Sequence, residues 1–284
     1  MNKKKLLSLA LALGLTAALV GCGGNSTTPP ASSGSAGSTA EPAGETTVLK
    51  VAASPTPHAE ILAVVKDELA KQGIDLQVTE YGDYKIPNLA VDEGEVDANY
   101  FQHLPHMETF NKENGTNLVS VGGIHIEPIG IYAGKCKTLE ELPDGAEIAI
   151  PNDSTNEGRA LLLLQAQGLI KLKDSANMEA TPNDIAENPK NIKFKELEAA
   201  MLPNSVEEVD LSVINSNYAL QAGFNPVNDS LALENAENPY VNIIAVKEGN
   251  ESNPAIVALV KALQSDAVKE YINTTYGGAV VPAF

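Results

Sequence analysis

The stretch Ile148-Ala149-Ile150-Pro151-Asn152-Asp153-Ser154-Thr155-Asn156-Glu157-Gly158-Arg159-Ala160-Leu161-Leu162-Leu163-Leu164 changes character twice. An apolar, strand-like run stops at Pro151, polar turn formers follow, and a leucine-rich helix begins. Ser154-x-x-Glu157 fits a capping box, which starts the helix near Ser154. The first-turn N–H groups of such a helix are free to face an anion. Asn156 and Arg159 lie three apart and share one helix face. Gly158, between them, lets a ligand approach the backbone.

Arg159 is the only arginine in the chain; every other basic residue is lysine. A guanidinium holds a carboxylate in two parallel hydrogen bonds, which an ammonium does not. A cation near a helix N-terminus is disfavoured by roughly 0.3–1 kcal/mol. A bound anion removes that conflict, and so does a partner among the 37 acidic side chains. From these residues alone both readings stand.

Working outward, the N-terminus is a leader. Lys3, Lys4 and Lys5 precede an apolar run from Leu6 to Val20, too short for a comfortable membrane span. Leu19-Val20-Gly21-Cys22 resembles a bacterial lipobox, so residues 1–21 are expected to be a signal peptide and Cys22 to carry diacylglycerol. An ordinary secretory signal with an incidental Cys22 is the alternative. Several acyl chains on one residue anchor stably where one is marginal. Residues 22–46 are dominated by Gly, Ser, Thr, Pro and Ala and read as a tether that cannot bury enough surface to fold.

The formal charge of the 284 residues is −18, and removing the leader takes away three lysines and no acid. Such a balance argues against nucleic acid and against anionic lipid as an electrostatic partner. With Cys22 lipidated, Cys136 has no intramolecular partner and no disulfide framework exists.

From Thr47 the chain alternates. Val48–Ala53 reads as a strand, Ala59–Leu69 as a helix ending at Gly73, and Ile74–Thr79 as a strand. Tyr81–Tyr84 is a loop, Pro87–Val91 begins a helix, Val96–Phe101 is a short strand, Pro105–Asn114 a helix and Leu118–Val121 a strand. This rhythm indicates a mostly parallel sheet covered by helices. Ligands bind beyond the carboxyl ends of such strands, which puts Ser54, Tyr81–Tyr84 and Tyr100–His103 on one rim. A second rhythm comprises Ala146–Ile150, the leucine-rich helix, Ile192–Leu197, a helix near Ser205–Val209, Leu211–Ile214 and a helix from Tyr218. Its rim falls at Asn152–Arg159 and Asn215–Tyr218. Tyr240–Val246 is a strand, and Asn253–Tyr271 one long amphipathic helix. Two such units imply an α/β protein of two lobes with a cleft between them. Crossings near Ile124–Ala133 and Tyr240–Val246 divide it into 47–128 plus 241–284, and 129–240.

Several motifs, in order, resemble the methionine-binding lipoproteins of the NlpA (MetQ) type, the substrate-binding components of methionine ABC importers. They are Tyr81-Gly82-Asp83-Tyr84-Lys85-Ile86-Pro87-Asn88, Asp97–Pro105, Pro151–Leu164, Gly168–Asp174, Glu187–Asn191, Val213–Ala219 and Pro239-Tyr240-Val241-Asn242. The likeness covers the whole folded region. It implies a type II periplasmic-binding-protein-like fold, no enzymatic activity and no cofactor. It implies a lipid-anchored protein on the extracytoplasmic face of a bacterial membrane, with an ABC permease and its ATPase as partners. The ligand implied is L-methionine or a related small amino acid or dipeptide. Carried over by position, Tyr84, Phe101 and His103 resemble the residues around the thioether, with Tyr81 and Tyr100 bordering them. Arg159 resembles the carboxylate-binding arginine, Asn156 stands beside it, and Asn215 resembles the asparagine that bonds the α-groups. An aromatic slot suits sulfur, whose ring contacts contribute about 0.3–1.5 kcal/mol. Two positions depart from the pattern: His106 where many relatives have tyrosine, and Asn204 where they often have arginine.

The rival readings are metal chemistry, in an importing lipoprotein that uses His103, His106 and His125 or in a hydrolase, with His58 and Glu127 as further candidate ligands, and an adhesin-like surface lipoprotein. Pro105 interrupts the His103–His106 pair unless it falls in a first helical turn, and no His-Glu-x-x-His pattern exists. No Gly-x-Ser-x-Gly elbow is present either.

Overall fold

A computed structural model describes residues 46–284; the leader, Cys22 and most of the tether lie outside the described residues. In chain order the elements are β1 (Thr47–Ala53), α1 (Glu60–Lys71), β2 (Ile74–Glu80), α2 (Ile86–Asp92), β3 (Ala98–His103), α3 (Leu104–Asn114) and β4 (Leu118–Ile126). There follow β5 (Gly130–Ala133), β6 (Glu147–Pro151), α4 (Ser154–Ala166), β7 (Lys171–Leu172), β8 (Ile185–Glu187), β9 (Lys193–Leu197), α5 (Leu202–Ser205), β10 (Leu211–Ile214), α6 (Ser216–Gln221), α7 (Pro226–Asp229) and β11 (Ser230–Leu233). The chain ends with β12 (Val241–Lys247), α8 (Pro254–Leu263), α9 (Asp266–Tyr276) and β13 (Val281–Pro282).

The first sheet has the order β13-β4-β12-β3-β1-β2 and the second β11-β5-β10-β6-β9. The expectation of mostly parallel sheets holds for two of the five strand pairings in the first sheet and two of the four in the second. β1 pairs parallel with β2 and β3, but β12 runs antiparallel between β3 and β4. In the second sheet β6, β9 and β10 are parallel, whereas β5 is antiparallel to β10 and β11. The reason is connectivity. A strand that returns from the other sheet, as β12 does, enters without the crossover helix that a parallel neighbour requires. The chain passes between the sheets at 127–129 and again at 234–240.

Strand alternation sorts each sheet's two faces. Leu49 and Val51 of β1 pack with Ile61 and Leu62 of α1, Ile256 and Leu259 of α8, and Ile272 of α9. Ala52 faces the other way, toward Val91, Met107 and Phe110. In β6, Ile148 and Ile150 meet Leu161 and Leu164 of α4, while Ala149 meets Leu202 and Tyr218. Each fully buried leucine here contributes roughly 1.5–3 kcal/mol.

Four elements differ from expectation. β3 runs on to His103 and β4 to Ile126, beyond the expected Phe101 and Val121. The helix near Ser205–Val209 is the shorter, earlier α5. The single helix Asn253–Tyr271 is two, because Ser265 adopts extended backbone (φ −91°, ψ 158°) and restarts the chain as α9. Serine and aspartate compete with helix continuation through local polar contacts.

Candidate functional site

The deciding stretch forms the strand β6, a turn and α4, but not with the expected chemistry. Asp153, not Ser154, is the cap: its Oδ1 accepts from Asn156 N at 3.1 Å and from Asn156 Nδ2 at 2.8 Å. The anion facing the first turn is therefore the protein's own carboxylate. Ser154 is drawn away, its hydroxyl donating to Glu113 Oε1 at 2.8 Å. Glu157 is buried instead of closing a capping box; its Oε1 has no partner and its carboxyl is pushed up to about 7, chiefly by burial. Gly158 is needed for a different neighbour. A Cβ there would stand 2.2 Å from Met178 O, so glycine admits the 178–180 backbone rather than a ligand.

A narrow cavity lies between the two sheets. It is bounded by Tyr84 before α2, Phe101, Gln102 and His103 at the end of β3, and His106 in the first turn of α3. The opposite wall is Asn156 and Arg159 of α4 with Asn215, Ser216 and Asn217 at the start of α6, and the floor is Glu127 and Asn242. Six of the eight residues singled out in the sequence are thus brought together: Tyr84, Phe101, His103, Asn156, Arg159 and Asn215. Tyr81 and Tyr100 are not among the lining. Tyr81 packs against the apolar cluster that includes Ala90, Val91 and Met107, and Tyr100 is wholly buried in the core behind the cavity. Strand alternation turns Phe101 and His103 one way and Tyr100 the other, but it is not a clean signal, because β3 loses register against β12 at this point and Gln102, of Tyr100's parity, also reaches the lining.

The polar walls are cross-linked. Tyr84 Oη donates to Asn217 Oδ1 at 2.5 Å. His106 N donates to His103 Nδ1 at 3.1 Å, so Nε2 carries the proton of His103 and donates to Asn156 Oδ1 at 3.3 Å. Asn215 Nδ2 donates to the same oxygen at 2.8 Å. Burial, and then the neighbouring Arg159 charge, hold His103 well below the usual imidazole range, so it is neutral. Two buried polar atoms on the lining lack partners: the acceptor Asn215 Oδ1 and the donor Asn217 Nδ2. An orphaned buried polar atom costs about 1–3 kcal/mol, which a polar ligand recovers.

Arg159 does not present an open fork. Its Nε donates to both oxygens of Glu234, at 3.0 and 3.1 Å, and Nη2 donates to Glu234 Oε2 and, at 2.7 Å, to Glu127 O. Its guanidinium carbon stands 4.2 Å from the centre of the Tyr240 ring. Among the described residues no protein group takes the remaining nitrogen, Nη1. The two sequence readings of Arg159 are therefore both realised, an internal carboxylate partner and a place in the cavity wall.

His103, His106 and His125 do not converge as a ligand set. Among the described residues, the group close enough to hold a metal ion is His58, His125 and Glu127. Its hydrogen bonds fit a neutral relay better. Tyr100 Oη donates to His125 Nδ1, His125 Nε2 donates to Glu127 Oε1 at 2.7 Å, and His58 Nε2 donates to Asn242 Oδ1 at 2.9 Å. A cation on both Nε2 atoms would move a proton to His58 Nδ1, which is buried with no acceptor. Burial lowers His58 to about 4 and His125 to about 3. Glu127 is raised by burial, with His58 and Arg159 opposing. Cys136 is buried at the far side of the second sheet, with Asp210 and not the cavity as its neighbour.

Comparison with known proteins accounts for this arrangement. The chain is 42% identical over 220 residues to the D-methionine-binding lipoprotein MetQ of Escherichia coli, covering 77% of this chain and 80% of that one. A putative lipoprotein structure from Ruminococcus gnavus matches with a TM-score of 0.82 and 56% identity, covering 84% of this chain and 99% of that one. A nutrient-binding protein from Burkholderia cenocepacia, solved bound to methionine, matches with a TM-score of 0.80 and 46% identity over 83% of this chain and all (100%) of that one. The model of the NlpA lipoprotein family matches residues 49–284, and the chain belongs to that family.

Proposed function

We propose that this chain is the extracytoplasmic binding component of an ABC importer, capturing methionine or a close derivative in the cleft between two lobes, 47–128 plus 241–284 and 129–240. The observation that carries the reading is the pairing of polar groups in one small cavity. Arg159 Nη1 and Asn217 Nδ2 are donors fit for a carboxylate, and Asn215 Oδ1 and the Glu127 carboxylate are acceptors fit for an ammonium. That is the head of an α-amino acid. Tyr84, Phe101 and His106 supply a cluster of rings beside these groups, with Tyr84 and Phe101 ring centres 6.0 Å apart. Rings of that kind favour a thioether over a charged side chain.

The ligand is identified by denaturing the purified protein and analysing what is released by mass spectrometry, followed by calorimetric titration with L-methionine, D-methionine and a methionine dipeptide. Absence of heat with all three, in protein freed of ligand by unfolding and refolding, overturns the reading. The anchor is tested separately. Cys22→Ala should release the protein from membranes with binding intact, and a variant still membrane-bound after a high-salt wash is evidence against lipidation at Cys22.

A further inference from the structure

Arg159 is bonded to both passages of the chain between the sheets. Nη2 reaches Glu127 O in the first, and Nε and Nη2 reach the Glu234 carboxylate in the second. Glu234 is itself fixed to the first passage. Its N donates to Ile129 O at 2.9 Å, and its Oε2 accepts from Ile129 N at 3.3 Å and from Asn238 Nδ2 at 3.1 Å. The Arg159 side chain is 3% exposed and that of Glu234 15%. A guanidinium held on two of its three nitrogens and laid on a ring cannot rotate, so the direction of Nη1 is set by its partners.

We propose that Glu234 is a positioning residue for ligand recognition: it orients the Arg159 guanidinium so that Nη1 serves the ligand carboxylate, which makes that subsite part of the passages between the sheets. The proposal rests on the reading of Arg159 as the carboxylate donor. Two effects of Glu234 oppose each other. Its negative charge repels a ligand carboxylate, whereas its two-point hold pre-organises the donor and spares the ligand the cost of ordering it. The geometry favours the second, because the guanidinium charge lies between Glu234 and the cavity and screens the repulsion.

The sign of one substitution separates them. Glu234→Gln keeps the shape and removes the charge, and its amide nitrogen faces the arginine donor to donor. Wild type, Glu234→Gln, Glu234→Ala and Arg159→Met are titrated in the mature chain with L-methionine and with L-methioninamide, which lacks the carboxylate. Melting curves show which variants are folded, and the isosteric glutamine serves if the alanine variant is not. Positioning predicts that Glu234→Gln weakens methionine by about tenfold or more, one hydrogen bond to a charged group, and methioninamide far less. The preference for the acid over the amide then falls toward that of Arg159→Met. A preference in Glu234→Gln equal to or above wild type overturns the proposal, and so do equal losses for both ligands. Should Arg159→Met keep the wild-type preference, the carboxylate reading of Arg159 itself fails, and this proposal with it.

Discussion

Tyr84 donates to Asn217 across the cavity, at 2.5 Å, from a residue that follows β2 to one that opens α6. The two residues are 133 positions apart in sequence and follow strands of different sheets, β2 and β10. The bond fixes the Asn217 amide so that Nδ2, the unpartnered donor, is presented to the cavity. Tyr84→Phe keeps the ring and removes this bond. The expected result is a loss of about 0.5–1.5 kcal/mol in ligand binding, roughly two- to tenfold, measured by calorimetry with little change in melting temperature. Unchanged affinity would show that the bond does not hold Asn217 in its binding orientation.

Gly158 separates two roles that its sequence position leaves open. If the glycine served ligand approach, Gly158→Ala would lower affinity at constant stability. The 2.2 Å distance from a Cβ to Met178 O says the reverse. The substitution should destabilise by about 1–3 kcal/mol, the usual range for overpacking, read as a lower melting temperature. Affinity measured on the folded fraction should change less. A variant as stable as wild type shows that the 178–180 segment yields freely.

These two residues also show where the sequence is legible and where it is not. The strand–turn–helix over 147–166 is written in local periodicity, and Asn156 and Arg159 share a face because the helix repeat puts them there. The cap could not be read, since Asp153 and Ser154 are both good caps. The choice was made by Glu113, which takes the Ser154 hydroxyl from a distant helix. The partner of Arg159 was equally hidden. Glu234 lies 75 positions away, and nothing local marks it among the acidic residues. Tyr81 and Tyr84 flank one loop with similar surroundings, and only the packing of Tyr81 against the cluster that includes Ala90 shows which faces inward. Glu127 and Asn242 entered the cavity unforeseen, because each borders a passage whose course depends on both sheets.

Stability should fall in acid. His58 and His125 are lowered to about 4 and about 3 from the ordinary 6.5 by burial. An unfolded chain binds those protons first, so their contribution is complete above about pH 6.5 and is lost as pH drops through the folded values. For His58 alone the shift corresponds to something on the order of 3 kcal/mol. Glu127 and Glu157 work against this, because burial raises both carboxyls and each protonates more readily in the folded state, whereas His103 and His106, also lowered by burial, add to the loss. The net expectation is a melting temperature clearly lower at pH 5 than at pH 7.5, with a shallower slope in His58→Asn. An identical slope in that variant would place the acid sensitivity elsewhere.

Arg159→Lys tests the carboxylate end. Lysine keeps the charge, but one ammonium cannot satisfy Glu234, the Glu127 carbonyl and a ligand together. Affinity for methionine should drop about ten- to a hundredfold, corresponding to 1.5–3 kcal/mol for a hydrogen bond to a charged group. Some stability should be lost as well, because the half-buried Glu234 loses part of its pairing. Wild-type affinity in folded Arg159→Lys would mean that the carboxylate is held by other donors.

In the proposed importer role, closure of the cleft would link binding to delivery. Besides Tyr84–Asn217 and His103–Asn156, the described residues join the two sheet units through Tyr218 Oη to Gly82 O at 3.1 Å, Thr109 Oγ1 to Glu179 Oε1 at 2.9 Å and Ser154 to Glu113. Each is an ordinary hydrogen bond, with a net contribution of about 0.5–1.5 kcal/mol, and several lie near the surface. A ligand whose carboxylate meets Arg159 and whose side chain meets Tyr84 and Phe101 touches both walls only when they are together. It therefore binds the closed arrangement more tightly, and only that difference can shift the population. Methionine should reduce the radius of gyration of ligand-free protein in solution scattering. Thr109→Val, which removes a bridging bond far from the ligand, should weaken binding a few-fold without altering the ligand-saturated radius. A scattering curve unchanged by saturating methionine would count against closure while leaving the binding site itself intact.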